Sequence, residues 1–327
     1  MGRDEPDEVT MPLVVVSEFM NEAALAPLRT EYEVLFDPDL VDKRSALLIA
    51  VADAEAIIVR NRTRVDEELL TAAPRLRVVG RLGVGLDNID MGACQRRGIT
   101  VHPATGANSR AVAEYVIASV MMLFRGAYQA RDRMVDGAWP REALQGRETS
   151  GKTLGLIGLG GIAQMVAERA TALGMTVAAF DPFLTADDPA WTGVTHVEDL
   201  ADLLARSDAI SLHVPLTDST RHLINADSLG TMRSGAIIVN TSRGGVVDDA
   251  ALAAAIRNGH IAGAALDVFE TEPLTATAAE MFADLDNVVL TPHIAGLTTE
   301  SNERVNDVTV ENVRKTLDNH EPSTEMR

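Results

Sequence analysis

The run Gly155-Leu156-Ile157-Gly158-Leu159-Gly160-Gly161-Ile162-Ala163-Gln164 constrains this chain more than any other stretch. An apolar segment turns through closely spaced glycines and enters a helical pattern ending near Leu173-Gly174. A second apolar run, Thr176 to Phe180, then closes on Asp181. The pattern is a strand, a tight turn, a crossover helix and a second strand with an acid at its tip. Gly158 permits the turn, and Gly160 lets backbone N–H groups approach a pyrophosphate. Ala163 stands where the fingerprint carries its third glycine, a position that only has to let helix and strand pack closely. Unpaired N–H groups and the helix dipole near Gly161 favour an anion there. Asp181 is placed to accept hydrogen bonds from ribose hydroxyls. Its carboxylate repels a 2′-phosphate, and Pro182 and Phe183 offer no compensating charge, so NAD is expected over NADP.

A chain of 327 residues is long enough for two domains, at about 100–200 residues each. No apolar segment reaches the ~20 residues needed to span a bilayer. The acidic start, Met1 to Glu8, is the opposite of a signal peptide, so a cytoplasmic location is expected. Residues 1–10 read as a loose leader, with Met11 a candidate natural start. The single cysteine, Cys94, excludes an internal disulfide and a cysteine-rich metal site. A net charge of −19 argues against nucleic acid or an anionic membrane as partner. That acidity fits either a GC-rich genome or a salty cytoplasm, where ions screen repulsion among surface carboxylates.

Before the fingerprint, strand-like segments at Pro12–Ser17, Tyr32–Phe36, Ala56–Val59 and Leu76–Gly80 alternate with helical ones at Asn21–Thr30, Lys43–Ala52 and Asp66–Ala73. Such alternation implies a parallel sheet covered on both faces. The glycine-rich turn Arg81 to Asn88 lies at a strand's carboxyl end, where open α/β sheets bind ligands. A long helical pattern from Asn108 to about Arg131 leads out of this region. A second alternating series follows, with strands near Ala209–Leu212, Ala236–Asn240, Gly263–Asp267 and Val288–Thr291. The last helix, Glu300–Asp318, is expected to return to the first domain and make it discontinuous.

Three late strands end in polar groups. Asn240-Thr241-Ser242-Arg243-Gly244-Gly245 follows the first, Asp267 to Pro273 with Glu272 the second, and Thr291-Pro292-His293-Ile294-Ala295-Gly296 the third. With these motifs in order, the chain resembles the D-2-hydroxyacid dehydrogenases, the family that includes phosphoglycerate dehydrogenase, from about Pro12 to Asp318. The resemblance implies His293 as general acid/base, Glu272 as its carboxylate partner and Arg243 as the substrate-binding cation. It implies that Asp267 contacts the nicotinamide side and that the backbone of Val84 and Gly85 holds the substrate carboxylate. Cofactor contacts are expected at Gly158, Gly160, Gly161, Ile162 and Asp181, then at His213, Val214 and Pro215. Further ones are expected at Thr241, Ser242, Arg243 and Asp267, and at His293, Ala295 and Gly296. Departures from the family pattern are Ala163 and the lack of an appended regulatory domain that some members carry.

The roles make chemical sense. A histidine titrating near neutrality can take the hydroxyl proton or return it. An adjacent glutamate stabilises the imidazolium, and an arginine grips a carboxylate with a charge that never titrates. Taken singly, Arg243 reads as a surface cation and Glu272 as a helix-start acid. His102, His196, His222, His260 and His320 read as surface or satisfied core residues, and His213 as lining the adenine side. No histidine–acid cluster has metal-ligand spacing, so no metal is expected.

Arg60 and Arg81, at strand ends, are placed to meet a second anionic group on the substrate, whereas Arg62 reads equally as a surface ion-pair partner. The runs Arg60-Asn61-Arg62-Thr63 and His102 to Asn108 look most like the sulfolactate dehydrogenase branch of the family. (S)-3-sulfolactate suits a D-specific site, because sulfur raises the priority of its CH2 arm above the carboxylate without changing handedness. D-3-phosphoglycerate and hydroxypyruvate or glyoxylate are the alternatives, and an NAD-sensing corepressor is the alternative from another class. The fold class expected is α/β: a Rossmann NAD-binding domain, 105–294, inserted into a flavodoxin-like substrate domain of 1–104 and 295–327, each a doubly wound parallel sheet. A homodimer is expected, with the long helix as the candidate contact and Met121-Met122 read as helix core or dimer contact.

Overall fold

A computed structural model describes residues 11–319; the leader at 1–10 and His320 lie outside the described residues. The chain divides into a discontinuous unit, residues 1–108 with 298–327, and a contiguous unit, Ser109–Leu297.

The discontinuous unit is built on five parallel strands: β1 (Leu13–Val16), β2 (Glu33–Phe36), β3 (Ala54–Val59), β4 (Val78–Arg81) and β5 (Thr100–Pro103). Their order, β2-β1-β3-β4-β5, is the flavodoxin-like one, whose ligand side is the carboxyl end of β1 and β3. Successive residues of a strand face opposite sides, and the core divides accordingly. Val15, Ile57, Val59 and Val79 pack on one face with Leu69, Leu70 and Cys94. Val14, Val16, Ile58 and Val78 pack on the other with Val305, Val310, Val313 and Leu317 of the helix Thr299–Asp318. That helix presses directly on β4: a Cβ added at Gly80 would lie 2.6 Å from Val313 Cγ2. Thr298 opens it with a capping box to Ser301. Cys94 is 1% exposed, and burial pushes its thiol pKa up.

The contiguous unit holds seven parallel strands. They are β6 (Thr153–Ile157), β7 (Thr176–Phe180), β8 (Thr195–His196), β9 (Ala209–Leu212), β10 (Ala236–Asn240), β11 (Ile261–Leu266) and β12 (Val288–Leu290). The order β12-β11-β10-β9-β6-β7-β8 is the Rossmann arrangement with one added strand, and it reverses between β6 and β9. Ligands bind at such a switch point. One face buries Ile157, Ile210, Leu212, Ile238 and Leu266. The other buries Leu154, Leu156, Val177 and Val239 under the helices Ser109–Arg125 and Gly161–Ala172.

Several elements differ from expectation. The long helix runs Ser109–Arg125 and stops six residues short of Arg131, because Gly126 adopts φ 60° and its N–H bonds back to the Met122 carbonyl. Asn21–Thr30 is a 3-10 turn, Glu22–Leu25, followed by a one-turn helix, Ala26–Arg29. Strands β5 and β8 and the helix Met91–Arg96 add to the elements expected from the sequence. The division into units falls at 108/109 and 297/298, where the helices Ser109–Arg125 and Thr299–Asp318 begin.

Candidate active site

The glycine turn lies at the carboxyl end of β6. Gly158 has φ 86°, and a Cβ there would sit 2.7 Å from the His213 carbonyl oxygen, so this position needs glycine twice over. Gly160 and Gly161 are different: a Cβ on either would meet nothing within 4 Å. The helix Gly161–Ala172 begins here with no side-chain cap, leaving first-turn N–H groups for an anion. Ala163 is fully buried on the face with Leu154, Leu156 and Val177, as its packing role requires. At the tip of β7, Asp181 accepts from Leu159 N–H through Oδ2 at 2.9 Å and from Phe183 N–H through Oδ1 at 3.0 Å. The acid thus pins the glycine turn and keeps further lone pairs for hydroxyl donors. His213, at the end of β9, bonds through Nε2 to Ser211 Oγ at 2.9 Å, and burial pushes its pKa down to about 4. It is therefore neutral at pH 7. Val214 packs on the face with Ile157, Ile210 and Leu212, and Pro215 follows, exposed. Thr241, just beyond β10, has a buried hydroxyl with no hydrogen-bond partner, a group a bound ligand would satisfy. An open glycine cradle, an uncapped helix start and an orphaned hydroxyl fit a dinucleotide. Asp181→Ala is expected to raise KM for NADH roughly tenfold, since one or two charge-assisted hydrogen bonds disappear, and to admit NADPH. Steady-state kinetics with both coenzymes measures this.

The second cluster sits at the ends of β10, β11 and β12. Asn240, 1% exposed, organises the Arg243 loop: its Oδ1 accepts from Ser242 N–H and Oγ–H, and its Nδ2 donates to the Arg243 carbonyl at 3.0 Å. Arg243 Nη1 donates to the Ser242 carbonyl at 2.7 Å. Gly244 brings this loop against the next: a Cβ there would lie 1.7 Å from the Phe269 carbonyl oxygen. In the neighbouring loop, Glu272 Oε1 accepts from Phe269 N–H at 3.1 Å, and Oε2 meets His293 Nδ1 at 2.8 Å. The hydrogen bond to Glu272 raises the His293 pKa above its ordinary 6.5; burial opposes this, and the negative charges of Glu272 and Asp267 reinforce it. For Glu272, burial pushes upward, but the bond and charge of His293, the Phe269 N–H and the charge of Arg243 leave it below the usual glutamate value. The imidazole is thus held by Nδ1, and Nε2 is the nitrogen left for proton exchange.

Asp267 does more than expected. It is 1% exposed, and its carboxylate accepts from Thr291 Oγ1 at 2.6 Å and from the N–H groups of Ile294 and Ala295, both at 2.8 Å. Its own carbonyl accepts from His293 N–H at 2.8 Å. These four bonds hold His293 in a left-handed backbone, φ 55°, that a residue with a Cβ rarely adopts. Behind Thr291 stands Tyr115, Oη to Oγ1 at 2.6 Å. Thr291 spends its single proton on Asp267, so Tyr115 is the donor of that bond. Burial pushes the tyrosine pKa up and keeps the proton in place. Sequence reasoning missed Tyr115, which reads there as one more residue of an amphipathic helix.

In the discontinuous unit, Arg60 follows β3 and donates from Nη2 to Asn302 Oδ1 at 3.3 Å. Arg81 ends β4 and donates to the Leu82 carbonyl at 2.6 Å. Val84 is 36% exposed in the turn after β4, with Gly85 beside it. Arg62 pairs with Asp42. Of the remaining histidines, His102 bonds Thr316, His222 bonds Glu270, His260 bonds the Leu229 carbonyl and His196 stacks on Trp191. Among the described residues, no group of His, Cys, Asp and Glu is arranged to hold a metal ion, and no helix is long and apolar enough to cross a membrane.

A Rossmann sheet with an acid at the tip of β7, joined to a histidine–carboxylate pair, defines a nicotinamide-dependent dehydrogenase. Residues 117–295 match the family model described as D-isomer specific 2-hydroxyacid dehydrogenase, NAD binding domain. The chain is 56% identical to (S)-sulfolactate dehydrogenase of Chromohalobacter salexigens, over 93% of this chain and 98% of that protein. It is 41% identical to D-3-phosphoglycerate dehydrogenase of Mycobacterium tuberculosis, over 94% of this chain, and spans 57% of that longer protein. Among solved structures, D-lactate dehydrogenase from Aquifex aeolicus complexed with NAD and lactic acid superposes with a TM-score of 0.78. That structure is 30% identical and is matched over 94% of this chain and 96% of its own. The chain belongs to the D-isomer specific 2-hydroxyacid dehydrogenase family. It is an NAD-dependent enzyme that moves a hydride between nicotinamide and a D-configured 2-hydroxy acid.

Proposed function

We propose that the chain oxidises (S)-3-sulfolactate to 3-sulfopyruvate, or runs the reverse reduction. The observation that carries this reading is the 56% identity to a sulfolactate dehydrogenase along 98% of its length, against 41% to a phosphoglycerate dehydrogenase. In this reading the contiguous unit is the NAD-binding domain. Gly158, Gly160, Gly161 and Ile162 hold the pyrophosphate and Asp181 the ribose. His213, Val214 and Pro215 line the adenine side. Thr241, Ser242, Asp267, Ala295 and Gly296 serve the nicotinamide side, together with Arg243 and His293. The discontinuous unit supplies substrate residues: the Val84 and Gly85 backbone for the C1 carboxylate and Arg60 for the distal sulfonate.

When bound, NAD accepts or returns the C2 hydride. In oxidation His293 Nε2 takes the hydroxyl proton, so the hydroxy acid loses one hydride and one proton and becomes the 2-oxo acid; reduction reverses both. Glu272 stabilises the resulting imidazolium and fixes which ring nitrogen exchanges the proton. Arg243 grips the carboxylate and polarises the C2 oxygen as charge develops on it.

NADH consumption with sulfopyruvate, 3-phosphohydroxypyruvate, hydroxypyruvate and glyoxylate tests the substrate. A charge-assisted contact to a second anion is worth roughly 1.5–3 kcal/mol, so sulfopyruvate should exceed glyoxylate in kcat/KM by about 10–100-fold. Preference for the phosphate or for an uncharged arm would reassign the substrate. We further infer a cytoplasmic homodimer. Tyr128, Val135 and Trp139 are each about 70% exposed, and Met121 and Met134 about 40%; five exposed apolar side chains within one short stretch of chain support this reading. A cytoplasmic setting is supported by dependence on NAD, and the −19 charge works against nucleic acid.

A further inference from the structure

We propose that Glu18 and Asn302 are positioning residues that fix Arg60 and so set the preference for a doubly anionic acid; this rests on the reading of Arg60 given above. Glu18 lies two residues beyond β1 and is 4% exposed. A buried ionised carboxylate is costly unless hydrogen bonds replace its water. Here they come from one turn: Oε1 accepts from Arg60 N–H at 2.8 Å and Thr63 N–H at 2.9 Å, and Oε2 accepts from Arg62 N–H at 3.2 Å. Ser17 Oγ meets Thr63 Oγ1 at 3.0 Å. Asn88 Nδ2 ties the opposite polarity, donating to the carbonyls of Arg60 at 3.2 Å and Thr63 at 2.6 Å. The turn Arg60–Thr63 therefore has three of its amides on one side chain and two of its carbonyls on another. Asn302, from the helix Thr299–Asp318, holds the Arg60 guanidinium at 3.3 Å.

The arrangement lies at the carboxyl ends of β1 and β3, where the strand order of this sheet reverses and such folds take ligands. An arginine has many rotamers, and ordering them on binding weakens affinity. Glu18 fixes its Cα and Asn302 its far end, so less ordering remains when an anion arrives. Both residues act through Arg60 rather than through His293, so their effect should fall on substrates that carry a distal anion.

The test compares kcat/KM for sulfopyruvate and glyoxylate in the intact enzyme and in Glu18→Gln, Asn302→Ala and Arg60→Gln. Glu18→Gln keeps the shape but turns an N–H donor toward the Arg62 N–H. We expect the sulfopyruvate-to-glyoxylate ratio to fall roughly tenfold in Glu18→Gln and about three- to tenfold in Asn302→Ala. Removing the Glu18 charge alone would strengthen the local positive field and raise the ratio, so an unchanged or higher ratio overturns the positioning role. Asn302→Ala carries no charge change and decides the matter if Glu18→Gln fails to fold. Arg60→Gln separates the two layers. If it leaves the ratio unchanged, the assignment of Arg60 to substrate fails and this inference with it. If it collapses the ratio while the other two variants do not, only the positioning role fails.

Discussion

Replacing His293 by alanine is expected to lower kcat by roughly 10²–10⁴-fold, the usual contribution of a positioned acid/base, while the Kd for NADH changes little. The ring is held by Glu272 through Nδ1 at 2.8 Å, so its loss removes the proton-exchanging group without touching the glycine turn or Asp181. Stopped-flow turnover and NADH fluorescence titration read the two quantities separately; equal losses in both would contradict the role. The same pair fixes the direction of the pH dependence. Reduction needs the imidazolium and oxidation the neutral ring. The Glu272 bond raises the His293 pKa above 6.5, so kcat/KM for reduction should hold beyond the ordinary histidine range and fall once pH passes that raised value. Oxidation should fall as pH drops below it. A break at or below the ordinary histidine value would mean that the pair is not intact in solution.

Gly244→Ala is expected to be nearly as damaging to activity and far worse for stability. Elsewhere such a change is mild or stabilising, because alanine reduces the freedom of the unfolded chain. Here the new Cβ would lie 1.7 Å from a backbone carbonyl oxygen, that of Phe269, and backbone cannot rotate aside as a flexible side chain can. The Arg243 loop must move off the Glu272 loop, costing about 1–3 kcal/mol or more, and the two groups that flank the proton exchange separate. Thermal melts and turnover of one preparation check both effects. Gly160→Ala is the internal control: its Cβ meets nothing within 4 Å, so the melt should stay put while NADH binding weakens. A melt unchanged in Gly244→Ala would show that the loops have slack.

Much of this organisation is legible in the sequence, for identifiable reasons. Strands buried on both faces, such as Ala209–Leu212 and Ala236–Asn240, are apolar but for Ser211 and Asn240 and are read to the residue. The glycine turn declares itself because the tight turn at Gly158 meets a steric demand that no other residue satisfies. Segments with weaker patterns are lost. β5, Thr100–Pro103, is only partly buried, so it lacks an apolar run, and Met91–Arg96 spans under two turns of helix. Side-chain partnerships formed across long stretches of chain are not legible at all. Tyr115 meets Thr291 from 176 residues away, and Glu18 meets Thr63 from 45. Neither member of such a pair carries a local pattern, and nothing in the residues around Asp267 signals that it also braces the loop of His293.

The lone sulfhydryl has a practical corollary. Cys94, sealed beneath the first sheet with its proton held more tightly than usual, offers alkylating reagents and mild oxidants almost nothing to attack, because only an accessible thiolate reacts. A cysteine introduced at Ile49, 78% exposed, would then be the one labelling point on the polypeptide. Spin or fluorescent tags could be attached there without first stripping the background.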